Sequence, residues 1–132
     1  PMLLSVTESW YAKPDAGKWL VSPAEEDPVA PMDAWADDMV LAEGLARYQE
    51  FVTEEVTRVE SSWAGLRSFS ADRTPVVGFD PNVEGFFWLA GQGGYGVQTS
   101  PSMSAFAADL LAGRSSGFDA DIVAGLSPAR GK

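Results

Sequence analysis

Residues 85–113, GFFWLAGQGGYGVQTSPSMSAFAADLLAG, hold the densest chemistry of the chain. The apolar run Phe86 to Ala90 reads as a buried strand. Gly91-Gln92-Gly93-Gly94-Tyr95-Gly96 follows as a glycine loop. A helix start comes next: Thr99 or Ser100 can cap it, and Pro101 suits its first position. Met103, Phe106, Ala107, Leu110 and Leu111 line one face, and Gly113 is a C-terminal stop. A strand that enters a glycine loop and feeds a helix collects unpaired backbone N–H groups and the positive end of a dipole at one point. Such a point accepts phosphate, carboxylate or another electron-rich oxygen.

Gly91, Gly93 and Gly96 also satisfy G-x-G-x-x-G. That pattern signals a dinucleotide site only within a strand–helix–strand unit, with an acid about twenty residues on. Here the helix stops near Gly113, and Asp119 and Asp121 lie in a stretch rich in Gly, Ser, Ala and Pro with no strand-like run. The plain dinucleotide reading is therefore set aside. A tight turn without a ligand stays open beside the oxygen-binding reading.

The elements that would position this loop are strands, one helix, more strands and a last helix. Residues 2–7 are a strand candidate. Residues 9–13 and 18–22 flank Pro14-Asp15-Ala16-Gly17, a hairpin signal. Residues 23–31 form an acidic, proline-containing loop. Leu41, Leu45, Tyr48 and Val52 recur at helical steps, which predicts a helix over 33–52 with Asp33 as its cap. Residues 53–60 read as an edge strand or loop. Trp63 to Phe69 and Pro75 to Phe79 are strand-like, with turns at 70–74 and 80–85. This order predicts an antiparallel sheet covered by a helix, followed by the end of an α/β layer.

Composition narrows the chemistry. The 132 residues contain no cysteine and no histidine. Disulfides, thiolate metal sites, zinc chemistry of the usual kind and a Ser-His-Asp triad within this chain are excluded. The net charge of −10 repels nucleic acid and anionic membranes. No run approaches eighteen apolar residues, so no membrane span is expected and a cytoplasmic location is. Pro1 is not an initiator, and residues 2–6 read as a strand already under way. The chain is expected to be the C-terminal piece of something larger, or one subunit of a split protein.

Three segments share a likeness: ESWYAKPDAG at 8–17, SWAGLRSFSAD at 62–72 and VEGFFWLAGQGGYGVQTS at 83–100. In this order they resemble the C-terminal part of the FAD-dependent D-amino acid oxidase superfamily, nearest to D-arginine dehydrogenase-like enzymes. The resemblance covers roughly residues 1–112. It implies a mixed α+β and α/β fragment. Residues 1–66 would be a substrate-domain portion with an antiparallel sheet and a helix. Residues 67–113 would be the last strand and helix of a Rossmann-type FAD domain whose N-terminal half lies outside this chain, and 114–132 a flexible tail.

The same resemblance implies FAD as cofactor, with Gly93, Gly94, Tyr95, Gly96, Val97 and Gln98 bordering its isoalloxazine ring. Backbone donors at a helix N-terminus would stabilise the negative charge that a reduced flavin carries. Arg67 corresponds to the arginine that grips the substrate carboxylate, and its planar fork suits that task; the residue alone reads first as a surface salt bridge, since arginines are mostly exposed, and the motif is what favours the grip. Tyr11 corresponds to a hydroxyl reaching the same carboxylate, or is a hairpin aromatic packed on the core. Gly65 lets a carbonyl approach the substrate amine, or is a packing glycine. Gln98 borders the flavin or satisfies helix-entry groups. Trp63, Phe87 and Trp88 read as core.

The implied reaction is oxidation of an amino acid, a D-amino acid by the resemblance, by hydride transfer from Cα to the flavin. The alternative is a non-catalytic fragment or interaction subunit without flavin. Implied partners are a small amino acid and the N-terminal FAD-binding half, in cis or as a separate chain. Self-association through an exposed edge near 86–90 is also expected, and neither nucleic acid nor a membrane is.

Overall fold

The structure, a computed structural model, describes residues 1–130. It is a small mixed α/β chain whose sheets are antiparallel. Two compact units divide it, one from Pro1 to Leu66 and one from Arg67 onward.

The first unit is built on a hairpin. Strands β2 (Tyr11–Asp15) and β3 (Lys18–Ser22) pair antiparallel from Tyr11↔Ser22 to Asp15↔Lys18. Ala16 and Gly17 connect them, both at positive φ, as a two-residue turn matched to strand twist requires. Pro14 therefore belongs to the strand, beyond the reach of the short β1 (Leu3–Leu4), where β2 has an open edge and a missing N–H is harmless. Trp10, Ala12 and Tyr48 form the core, with Val21, Val52 and Val56 against them. The Trp10 and Tyr48 rings meet edge to face at 5.4 Å.

Tyr48 comes from α1 (Asp38–Gln49), shorter than the 33–52 expected. Its cap is Asp37 rather than Asp33. Asp37 Oδ1 accepts from the Met39 and Val40 amides at 2.9 and 3.0 Å, so the first turn forms where a carboxylate can serve two orphan donors at once. Residues 53–66 are irregular. Lys18 pairs with Glu60 and ties this stretch to the hairpin. Lys18 and then Arg58 hold the Glu60 carboxyl below its ordinary value.

The second unit packs a two-stranded ladder on two helices. Strands β4 (Val76–Phe79) and β5 (Phe87–Ala90) pair antiparallel in the register Val77↔Leu89. Val77, Phe106, Ala107 and Leu126 are the core, with Phe87, Met103, Leu110, Phe118 and Val123 around them. Helix α2 (Gly96–Leu111) contributes Phe106 and Ala107, and α3 (Ala120–Leu126) contributes Leu126. The end of α2 follows the glycine signal: Gly113 has φ +65, its N–H donates to the Leu110 carbonyl, and the Arg114 N–H reaches back to Asp109 at 2.8 Å.

Several expectations are corrected here. Residues 114–130 are not a plain flexible tail: they contain α3, which caps the core with Leu126. Its seven residues are too short for a periodic signal to stand out, and its stability comes from tertiary burial. Trp63 to Phe69 forms no strand; Trp63 is 69% exposed and Leu66 is exposed, so no apolar face holds an extended ladder there. The Phe86–Ala90 strand is not buried. Phe86, Trp88 and Leu89 are exposed: β5 has a ladder partner on one side only, Trp88 alternates to the face opposite Phe87, and Leu89 shares the face of Phe87 but lies outside the core cluster. Trp63 and Trp88 are thus not core, whereas Phe87 is packed as expected, edge to face with Phe79 at 5.0 Å.

The start of α2 also differs. Neither Thr99 nor Ser100 caps it and Pro101 is not its first residue. The Thr99 N–H already donates to the Tyr95 carbonyl at 2.9 Å, so the helix is under way from Gly96. Pro101 lies inside and removes the bond to the carbonyl four residues earlier. That residue, Val97, is almost wholly exposed, so water can serve its carbonyl.

Candidate functional site

In the second unit the glycine loop is laced to the segment 67–70. The Gly93 N–H donates to the Ser68 carbonyl at 3.0 Å. Gly93 stands at φ +54, and a Cβ built there would lie 2.4 Å from Cε1 of Phe69, so the aromatic ring lies directly on the loop backbone. A Cβ on Gly94 would lie 2.7 Å from Nη1 of Arg67. The Arg67 guanidinium therefore hangs over Gly94. Arg67 and Arg73 both approach the Phe69 ring, at 5.7 and 5.1 Å from its centroid, within cation–π range.

Beyond the loop the chain enters α2 with Tyr95 as its cap residue. No side chain accepts from the first amides, and no acid occupies the first turn. Gly94, Tyr95, Val97 and Gln98 are exposed, and Gly96 is half-buried. Val97 and Gln98 belong to the first turn of the helix, not to the loop. The combination is an uncapped positive helix end, a glycine backbone bare of side chains and an arginine above it. Its donors suit an electron-rich oxygen or a carboxylate.

Arg67, Gly93, Gly94, Tyr95, Gly96, Val97 and Gln98 thus come together. Tyr11 and Gly65 belong to the first unit. Tyr11 is half-buried on β2, opposite Leu4 and Ser22. Gly65 is exposed, and a Cβ there would meet nothing within 4 Å, so it is not a close-packing glycine. Among the described residues no group of carboxylates could hold a metal. No described helix is long and apolar enough to cross a membrane.

Sequence reasoning did not find Phe69, which the loop rests on, or the pair behind it. The Asp72 carboxylate meets Arg130, 58 residues away. No local pattern signals a pair so far apart. Arg130, then Ser70 and the Thr74 amide, hold the Asp72 carboxyl far below the usual carboxylate range. Asp72 in turn pushes the Arg130 guanidinium up. Because the folded value is depressed, the stabilisation is complete above the unfolded value of about 3.9 and fades only as pH falls toward the folded one. The difference in Tm between this chain and Asp72→Asn is expected to stay constant from pH 8 to about pH 5 and to shrink below about pH 4. A difference that shrinks between pH 8 and 6 contradicts the assignment.

The family model for FAD dependent oxidoreductases (DAO) matches residues 3–110, and the chain belongs to that family. FAD is accordingly its cofactor. Two relatives give the scale. The chain is 36% identical over 58 residues to FAD-dependent oxidoreductase domain-containing protein 1 of Xenopus laevis, which is 43% of this chain and 12% of that protein. It is 34% identical over 82 residues to the tRNA 5-methylaminomethyl-2-thiouridine biosynthesis bifunctional protein MnmC of Thiobacillus denitrificans, which is 62% of this chain and 13% of that one. The chain thus spans only a small part of the length of the curated relatives it matches. The loop fits the cofactor on structural grounds: its exposed backbone donors and uncapped helix end are complementary to the carbonyl edge of a flavin ring.

Proposed function

We propose that this chain forms the carboxylate-gripping side of a flavin site that oxidises a free amino acid, in the manner of D-arginine dehydrogenase-like enzymes. The observation that carries the reading is the Arg67 guanidinium above Gly94, beside an uncapped helix end. When bound, FAD supplies the acceptor for the hydride that leaves Cα. Gly93 to Gln98 would border the ring edge, with the N–H groups of Gly94, Gly96, Val97 and Gln98 as donors, since those of Gly93 and Tyr95 are bonded to Ser68 and Gln92. Arg67 would bind the substrate carboxylate through its two-pronged fork, and that grip orients the Cα–H bond. Tyr11 would add a hydroxyl to the same carboxylate, and the Gly65 carbonyl would face the amine. The amine gives up a proton as Cα gives up its hydride, and the imino acid then hydrolyses to a 2-oxo acid and ammonia.

In this reading residues 1–66 serve the substrate and residues 67–113 complete a Rossmann-type FAD domain. Exposed Phe86 and Trp88, whose rings meet at 4.9 Å, support a partner surface beside β5, either the rest of the flavin fold or a second copy. The chain by itself would be inactive. A nucleic-acid-borne amine, which the name of the Thiobacillus relative brings to mind, is disfavoured by the net charge of −10.

The test is the visible spectrum of the full-length flavoprotein, followed without oxygen as D-amino acids are added, D-arginine first. Bleaching of the flavin band is the expected result. Bleaching by secondary amines but by no free amino acid would move the substrate class. A purified protein free of flavin would favour a non-catalytic module.

A further inference from the structure

The turn that follows Phe69 is held from a distant part of the chain. Arg130 comes after α3, beyond residue 110 where the family match ends. Its side chain is only 16% exposed. Nε donates to Asp72 Oδ2 at 2.7 Å and Nη2 to Oδ1 at 2.9 Å, a two-point grip. Nη2 also donates to Ser70 Oγ and to the Thr74 carbonyl, and Nη1 to the Ser127 carbonyl. Within the turn, Asp72 accepts from the Thr74 amide and the Ser70 carbonyl accepts from the Arg73 amide, each at 3.0 Å.

Such a grip has something to hold. Arg73 stands at φ +60, a left-handed conformation that a long side chain keeps only where its surroundings over-determine it. From there its guanidinium covers one approach to the Phe69 ring. Ser70 also touches the loop: a Cβ on Gly91 would lie 3.4 Å from its amide nitrogen. The line of contact runs from Arg130 to the turn, from the turn to Phe69, and from Phe69 to Gly93.

We propose that Arg130 is a positioning residue for the loop site: by gripping the 70–74 turn from the C-terminal segment, it fixes where Phe69 and the Arg67 guanidinium stand against Gly93 and Gly94. What Arg67 does to a substrate rests on the function proposed above, whereas the grip itself is a property of this unit alone.

Amide hydrogen exchange of this chain reads the proposal without any flavin or substrate. The Gly93 amide reports the bond to Ser68, and the Ala107 amide, inside α2, reports the general stability of the unit. Arg130→Met keeps an unbranched apolar stem and removes the guanidinium donors. It is expected to speed Gly93 exchange about 10-fold or more while Ala107 changes little. Arg130→Lys, which keeps the charge but not the fork, is expected to fall between. Should Arg130→Met not fold, Asp72→Asn weakens the same grip from its exposed side and is expected to shift Gly93 in the same direction. Unchanged Gly93 exchange overturns the proposal, and so does an equal rise at Gly93 and Ala107, which is ordinary destabilisation. In the flavin-loaded full-length protein the same Met variant should raise KM several-fold more than it lowers kcat. If no amino acid is oxidised, that arm fails with the functional reading, and the exchange arm still decides on Arg130.

Discussion

Alanine at position 67 is expected to lower kcat/KM for the oxidised amino acid about 100-fold, mostly through KM, with flavin content unchanged. Losing one partner of a hydrogen-bonded charge pair costs about 2–5 kcal/mol. Arg67 is exposed on this chain, so the lower end applies, and about 1.4 kcal/mol corresponds to each tenfold. The fold should survive, because Arg67 belongs to neither hydrophobic core. Its guanidinium lies over the Phe69 ring, 5.7 Å from the centroid, and against Gly94. Arg67→Lys should recover a minor part, since an ammonium keeps the charge but cannot match both carboxylate oxygens in one plane. Steady-state kinetics beside the flavin spectrum separate the effects. A kcat/KM within about threefold of the parent would sink the carboxylate role, and flavin loss with intact kinetics per bound flavin would make Arg67 a loop support instead.

How much of this was legible in the residues follows from range. The hairpin was, because Pro14 to Gly17 between aromatic runs is a local signal. The glycine loop and the stop at Gly113 were too, since positive φ is a demand that the residue type itself answers. What failed depends on partners distant in sequence. Thr99, Ser100 and Pro101 together spell a helix start. The helix begins instead at Gly96, because the loop is pinned through Gly93 to Ser68 and has already turned into the helix by then. Phe86 to Ala90 spells a buried strand, but burial needs a covering layer, and β5 has one only on the side of Phe87. The site divides the same way. The glycines were singled out by their type and spacing and Arg67 by the resemblance, whereas Phe69 beneath them and Arg130 behind them are known only by what they touch.

The heaviest single effect on the unit itself should come from Gly93→Ala. Two costs meet at this position. An alanine at φ +54 is in the left-handed region, which costs about 1–2 kcal/mol. Its Cβ would also stand 2.4, 2.9 and 3.1 Å from Cε1, Cδ1 and Cζ of Phe69, and no real Cβ sits at the first two distances. The ring has to yield, yet Arg67 and Arg73 flank it and the 70–74 turn follows it, so overpacking adds about 1–3 kcal/mol. Gly94 differs: a Cβ there meets the far end of Arg67, which can swing aside. A loss of about 2–5 kcal/mol at Gly93 lowers Tm by roughly 10 °C or more in a unit of this size. It is also expected to abolish flavin retention by the full-length protein, because the loop backbone leaves Ser68. A Tm within about 2 °C of the parent would contradict the close approach of ring and loop. Adding Phe69→Leu to Gly93→Ala divides the two costs. The smaller side chain relieves the contact but not the backbone angle, so about half of the loss should return, and full recovery would mean that φ at residue 93 relaxes freely.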